Sequence, residues 1–274
     1  MNDQAATVEA LQAPRAQATV PSGRPTLVVG SGKGGVGKSV VAVLLAERMA
    51  RQGRRVLLVD GSQNLGNLHV LLGIQRGSRL EHLIAGAITP RDLLIPVHDR
   101  LWLVPADSGA ESVHALAPVD RARLHHRLTG LFDDFEAVVV DAGGGIEGVV
   151  RAATMRATRL IVVTVPEPAA LSDAYATIKI VMAQVRELPV DVLVNRVSGE
   201  REGAEAFERL ATATRQFLPH GVSYLGALWE DEVIRRLVRA PGRLVAGLGP
   251  GRNDDVLTTM LQRLDPPAAV VIGG

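Results

Sequence analysis

The stretch Gly30-Ser-Gly-Lys33-Gly-Gly-Val-Gly-Lys38-Ser39 constrains this chain more than any other. Before it, Thr26-Leu-Val-Val-Gly30 reads as a short buried strand; after it, Val40 to Met49 reads as a helix that stops near Gly53. Glycines in such a strand-to-helix turn remove the Cβ atoms that would hold the backbone away from a ligand. The N–H groups of the helix start then point at an anion. Gly32 to Ser39 fits the pattern G-x-x-x-x-G-K-S/T of a triphosphate-binding loop. Gly32, Gly34, Gly35, Val36, Gly37, Lys38, Ser39 and Val40 are therefore the candidate nucleotide contacts. Lys38 would bring charge to the β- and γ-phosphates, and the Ser39 hydroxyl suits a Mg2+ ion.

Lysine is otherwise scarce. Of 30 lysines and arginines only three are lysines, at positions 33, 38 and 179, so two of the three lie in this loop. Such a bias suggests that lysine is kept where a compact ammonium is wanted rather than a planar fork. With 274 residues, 47% of them hydrophobic and 22% charged, the chain is long enough for one large α/β domain. A formal net charge of +1 gives no global case for nucleic acid. The absence of cysteine excludes disulfides, thiolate metal sites and cysteine-ligated iron–sulfur clusters, and makes the cytoplasm the expected compartment. No leader pattern or transmembrane-length apolar run is present, so at most a peripheral contact with the inner membrane is expected.

Residues 1–25, rich in Ala, Gln, Pro and Ser, read as a flexible tail. Residues 26–265 read as the folded domain and 266–274 as a C-terminal tail. Within the domain, apolar runs at Arg55–Asp60, Leu101–Pro105, Ala137–Asp141, Leu160–Val165, Val190–Asn195 and Ser223–Leu228 are the expected further strands. Helical periods fill Arg121–Phe132, Leu171–Arg186, Ala204–Phe217 and Glu232–Arg239. This alternation predicts right-handed βαβ units: a single-domain α/β P-loop NTPase, its mostly parallel twisted sheet covered by helices on both faces. Ligands of such sheets bind at the carboxyl ends of the strands. Three of the expected strands end there in polar residues: Asp60, Asp141 and Asn195. Asp141, followed by Ala142 and three glycines, is suited to hold Mg2+ or its water, and Asp60 to the same shell. The Asn195 amide both donates and accepts, which suits the edge of a purine.

Lys33-Gly-Gly-Val-Gly-Lys38-Ser39 resembles the deviant Walker A loop of the MinD/ParA ATPases. The resemblance implies ATP and Mg2+ as cofactors and an ATP-dependent homodimer in which Lys33 reaches the partner's nucleotide. It also implies Lys38, Asp60 and Asp141 as the rest of the catalytic set, and Asn195 with Arg196 at adenine. Val163-Thr-Val-Pro166-Glu167-Pro168 with Asp173-Ala-Tyr175 is similar to the strand–loop–helix signature of the FlhG/FleN regulators of flagellar number. Leu68-His-Val-Leu-Leu-Gly73 and Val104-Pro-Ala-Asp-Ser-Gly109 point to the same group. Asp3-Gln4-Ala5 to Leu11 is similar to the segment by which FlhG-type proteins engage the GTPase FlhF.

One departure matters. The family's Asp-x-Asp after the second strand is here Asp60-Gly61-Ser62, so the acid that orients the attacking water is missing. Loss of such a group commonly costs on the order of 10²–10³ in rate. The expectation is a switch that binds ATP and hydrolyses it slowly, or a scaffold that does not turn it over; Gln63 or Asn64 is the alternative means of orienting water. Other features carry two readings each. Trp229 either stacks on adenine or sits half-buried in the core. Val256, Leu257, Met260, Leu261 and Leu264 form an apolar stripe that packs on the domain or lies on a membrane, with packing favoured by the flanking Asp254, Asp255 and Asp265. Arg235, Arg236, Arg239 and Arg243 form a solvated face or, in a ParA-like partition protein, a DNA surface, with nucleic acid the less expected.

Overall fold

The computed structural model describes residues 24–62, 66–75, 80–106 and 117–264. The aliphatic runs form strands because unbroken Val, Leu and Ile suit a sheet buried on both faces. In chain order these are β1 (Thr26–Gly30), β2 (Val56–Asp60), β3 (Ile95–His98), β4 (Leu101–Val104), β5 (Ala137–Asp141), β6 (Arg159–Thr164), β7 (Val190–Val197) and β8 (Ser223–Trp229). They make one sheet in the order β3-β4-β2-β5-β1-β6-β7-β8, parallel throughout except for the antiparallel β3–β4 pair. The helices are α1 (Lys38–Arg51), α2 (Leu68–Leu71), α3 (Leu80–Ile84), α4 (Pro118–Thr129), α5 (Gly145–Ala153), α6 (Pro168–Gln184), α7 (Glu200–Phe217), α8 (Glu232–Arg239) and α9 (Arg252–Leu264).

Successive strand residues divide between two cores, as the period of two requires. Val28, Val138, Val140, Leu160, Val162, Val192 and Val194 pack with α5, α6 and α7. Leu27, Val29, Leu58, Val139, Ile161, Val163 and Leu193 pack with α1 and α9 on the other face. The covered parallel sheet expected from the sequence is therefore present. Four elements went unread: β3, whose Pro96 broke the strand pattern, α5, which starts within a glycine run that argues against a helix, and the short helices α2 and α3, each about one turn long. α6 and α7 begin earlier than their apolar periods do, at Pro168 and Glu200, and β7 continues to Val197.

Both edges of the sheet are guarded. β3 is short, carries a proline and pairs irregularly between Pro96 and His98. β8 is sealed by α9: the buried Asn253 accepts from Trp229 N at 2.8 Å and donates to Trp229 O at 3.2 Å, and Arg263 donates to Leu225 O at 3.1 Å. The far end of α1 is fixed as well. Its buried Glu47 accepts from His98 Nε2 and Arg51 Nε, each at 2.8 Å, and Arg48 donates to Asp254 Oδ1 at 2.7 Å. The apolar stripe of α9 takes the packing reading, with Leu257, Met260, Leu261 and Leu264 all buried. Among the described residues no helix is long and apolar enough to cross a membrane. Leu261→Ala should accordingly cost about 2–5 kcal/mol in urea unfolding, whereas a helix resting loosely on the domain would leave the midpoint unmoved.

Candidate functional site

β1, β5 and β2 are neighbours, so the glycine loop after β1, Asp141 at the end of β5 and Asp60 at the end of β2 share one rim of the sheet. Asp60 and Asp141 stand in register, and Gly61 N donates to Asp141 O at 2.8 Å. Within the loop Gly35 and Gly37 have φ of 79° and 91°, left-handed values that side chains resist. Beyond their chain neighbours, nothing lies within 4 Å of where a Cβ would stand on Gly34 or Gly35. Gly32 is there for a different reason: a Cβ would fall 2.2 Å from Asp173 O, so the loop leans directly on the first turns of α6.

The two loop lysines part company. Lys38 turns inward, its Nζ 2.5 Å from Asp141 Oδ1 and 3.4 Å from Ser39 Oγ, with side-chain exposures of 12% for Lys38 and 2% for Asp141. Lys33 turns outward to Glu167 Oε2 at 2.6 Å, with exposures of 37% and 62%. The Lys33 ammonium holds the Glu167 carboxyl below its ordinary range, first by hydrogen bonding and then by charge. Solvent weakens an exposed pair, so this contact can be exchanged at little cost. Glu167 as the resting partner of Lys33 was not foreseen; in the sequence Pro166-Glu167-Pro168 counted only as part of the strand–loop–helix signature.

Asp60 is buried, and loss of hydration pushes its carboxyl above the usual value; the nearby Asp141 charge adds to this, against hydrogen bonds from Ser62 and Leu68. The Ser62 N–H donates to Asp60 Oδ1 at 3.1 Å, which ties the turn after β2 to the acid. Gly143, at φ 69°, abuts this turn so closely that a Cβ would lie 2.8 Å from Ser62 Cα. Gln63 and Asn64, the alternative water-orienting residues, lie outside the described residues.

At the other end of the rim, Asn195 Nδ2 donates to Val36 O at 2.7 Å, leaving its Oδ1 and second N–H for another partner. Arg196 is exposed with φ 58°. Trp229 is half-buried, and the Arg252 guanidinium lies 3.9 Å above its ring, so one aromatic face is already taken. Arg235 pairs with Glu232 on α8 and with Glu230 just before it, and the helix has no buried residue.

These donors fit a Mg2+-nucleotide. Left-handed glycines free the loop backbone to face phosphate, one buried ammonium is balanced by a single carboxylate, and a second buried carboxylate, Asp60, stands in register with the first. No cluster of three or more His, Asp or Glu among the described residues could hold a metal alone. Mg2+ would thus be held by Ser39, Asp60 and Asp141 only together with phosphate oxygens, its usual mode.

A parallel sheet with a glycine loop, an inward lysine and two acids on the neighbouring strand ends defines a P-loop nucleotide-binding protein. The chain belongs to the CobQ/CobB/MinD/ParA nucleotide binding domain family, which it matches over residues 27–240. It is 35% identical over 213 residues to the antiactivator FleN of Pseudomonas aeruginosa, covering 78% of this chain and 76% of that protein. It is 30% identical to the flagellum site-determining protein YlxH of Helicobacter pylori, covering 78% and 72%. Its fold is that of septum site-determining protein MinD complexed with Mg-ADP from Pyrococcus horikoshii, with a TM-score of 0.69 at 21% identity over 89% of this chain and 96% of that one. The expected likeness to MinD/ParA ATPases and FlhG/FleN regulators is therefore borne out.

The unlike settings of the two lysines predict unlike stabilities. In nucleotide-free protein Lys38→Met strands a buried aspartate and should cost about 3–5 kcal/mol, while Lys33→Met should leave the unfolding midpoint within error. Equal effects in urea titrations would contradict the geometry.

Proposed function

We propose that this chain is an ATP-binding dimerisation switch of the FlhG/FleN type, acting on flagellar number or placement through protein partners and hydrolysing ATP slowly. The observation that carries the reading is the division between the two loop lysines. Lys38, beside Asp141, serves the chain's own phosphates. Lys33, turned outward onto Glu167, is available to reach the nucleotide of a second copy.

In this reading the backbone from Gly32 to Ser39 and Val40 cradles the phosphates, Lys38 neutralises them, and Asn195 with Arg196 lies at adenine. Bound through Ser39, Asp60 and Asp141, Mg2+ would neutralise charge between the β- and γ-phosphates. Dimerisation exchanges Glu167 for phosphate at Lys33, and Gly32 transmits the rearrangement to α6 through their close contact. Turnover is slow because Ser62 is uncharged and hydrogen-bonded to Asp60, so it neither positions water nor stabilises charge as an acid would.

Residues 26–265 form the ATPase domain, flanked by the tails 1–25 and 266–274. The likeness to FleN and YlxH supports the flagellar role. An FlhF-type GTPase is the proposed partner of the segment from Asp3 to Leu11, which lies outside the described residues. The protein works in the cytoplasm. Membrane contact through α9 finds little support, since its apolar side packs on the domain. A non-hydrolysing scaffold is the second reading, favoured by the same Ser62 contact.

Ser62→Asp should accelerate phosphate release at saturating ATP by at least about ten-fold, towards the 10²–10³ that such a group supplies. A rate already typical of MinD-type ATPases in the wild type, unchanged in Ser62→Ala, would refute slow turnover; no release even from Ser62→Asp would favour the scaffold. Glu167→Ala should lower the ATP concentration at which dimers form in light-scattering chromatography, and a threshold that stays put would remove Glu167 from the switch.

A further inference from the structure

Asn195, proposed above to lie at adenine, is also built into the glycine loop. Its Nδ2 bonds to Val36 O at 2.7 Å, joining residues 159 apart in sequence. A Cβ on Gly37, at φ 91°, would stand 2.4 Å from the same nitrogen, so the amide occupies the space that any other residue at position 37 would need. Two backbone features aim the side chain there. The register between β7 and β8 shifts between Asn195 and Val197, and Arg196 between them is a left-handed non-glycine residue. Bulges re-aim side chains, and strained backbone of this kind gathers at functional sites.

The bond has a directional consequence. A trans peptide carries its C=O and N–H on opposite sides, and the structure contains no cis peptide among the described residues. Pinning Val36 O to Asn195 turns the Gly37 N–H the other way. A flipped Val36–Gly37 peptide would instead present an oxygen on the side where an N–H is needed to meet an anion. Because the loop partner is a carbonyl, the amide nitrogen must face it and Oδ1 must face away.

We infer that Asn195 is a positioning residue for the triphosphate: through Val36 it keeps the loop's N–H groups turned toward phosphate, and so ties the base end of the site to the phosphate end. This rests on the ATP-switch reading but asks more of Asn195 than base recognition. The test uses a ligand with no base. Full-length wild-type protein, Asn195→Leu, which keeps the size of asparagine, and Asn195→Ala are titrated calorimetrically with Mg·ATP and with Mg·tripolyphosphate. Thermal melts verify that the variants fold, and amide hydrogen exchange of the loop in nucleotide-free protein provides a second readout. Both variants should lose roughly ten-fold in tripolyphosphate affinity, the worth of one hydrogen bond, with faster exchange at Gly35 to Gly37. Tripolyphosphate affinity and exchange unchanged while ATP affinity falls would overturn the inference and leave Asn195 as a base reader, with the switch reading intact. Wild-type protein that binds neither ligand would overturn the switch reading and this inference with it.

Discussion

A lysine ammonium and an aspartate carboxylate, brought together almost out of reach of water, set the terms for the rest of this structure. Lys38 opens α1 and Asp141 closes β5, so their contact requires that β1 and β5 be adjacent and parallel, with a turn between β1 and α1 tight enough to return the lysine over the sheet. Only glycine permits that turn at positions 35 and 37. The depth of α1 follows too: Glu47, Arg48 and Arg51 at its far end are bonded to β3, α9 and the 3-10 turn at Leu244–Ala246, so the helix that carries the lysine is fixed at both ends.

Around this pair the molecule contrasts fixed charges with exchangeable ones. Asp60 and Asp141 are buried, hydrogen-bonded and close to each other, an arrangement that suits a cation bound between protein and phosphate. Lys33 and Glu167 meet in water on the outer side of the same loop. A rigid inner site beside a loosely held outer lysine is what a nucleotide-dependent switch requires, since the first must keep its shape while the second changes partner.

Much of this was legible in the residues. Aliphatic runs ending in Asp60, Asp141 and Asn195 located the rim of the sheet because a strand buried on both faces leaves polar groups only at its ends. The glycine loop was legible because spacing and backbone freedom combine in a single local motif. What stayed hidden was non-local. Lys33 to Glu167 spans 134 residues and Asn195 to Val36 spans 159, and neither pairing has a local signal. Arg252 over Trp229 was likewise beyond reach, since it depends on where α9 docks. β3 and α5 were missed for the opposite reason: Pro96 and Gly145 are locally unfavourable, and packing against the finished sheet overrides them.

The sealing of β8 by Asn253 and Arg263 has a consequence for biosynthesis. The chain leaves the ribosome from its amino end at about 5–20 residues per second, so β8 emerges before the helix that covers its free edge. Throughout that interval Tyr224, Leu225 and Trp229 present backbone groups that other unfinished chains can pair with. The central strand β1 has by then already waited for β5 and β6, each more than a hundred residues downstream of it. Folding of such non-local pairings is slow, and completion of the sheet falls to the last helix made.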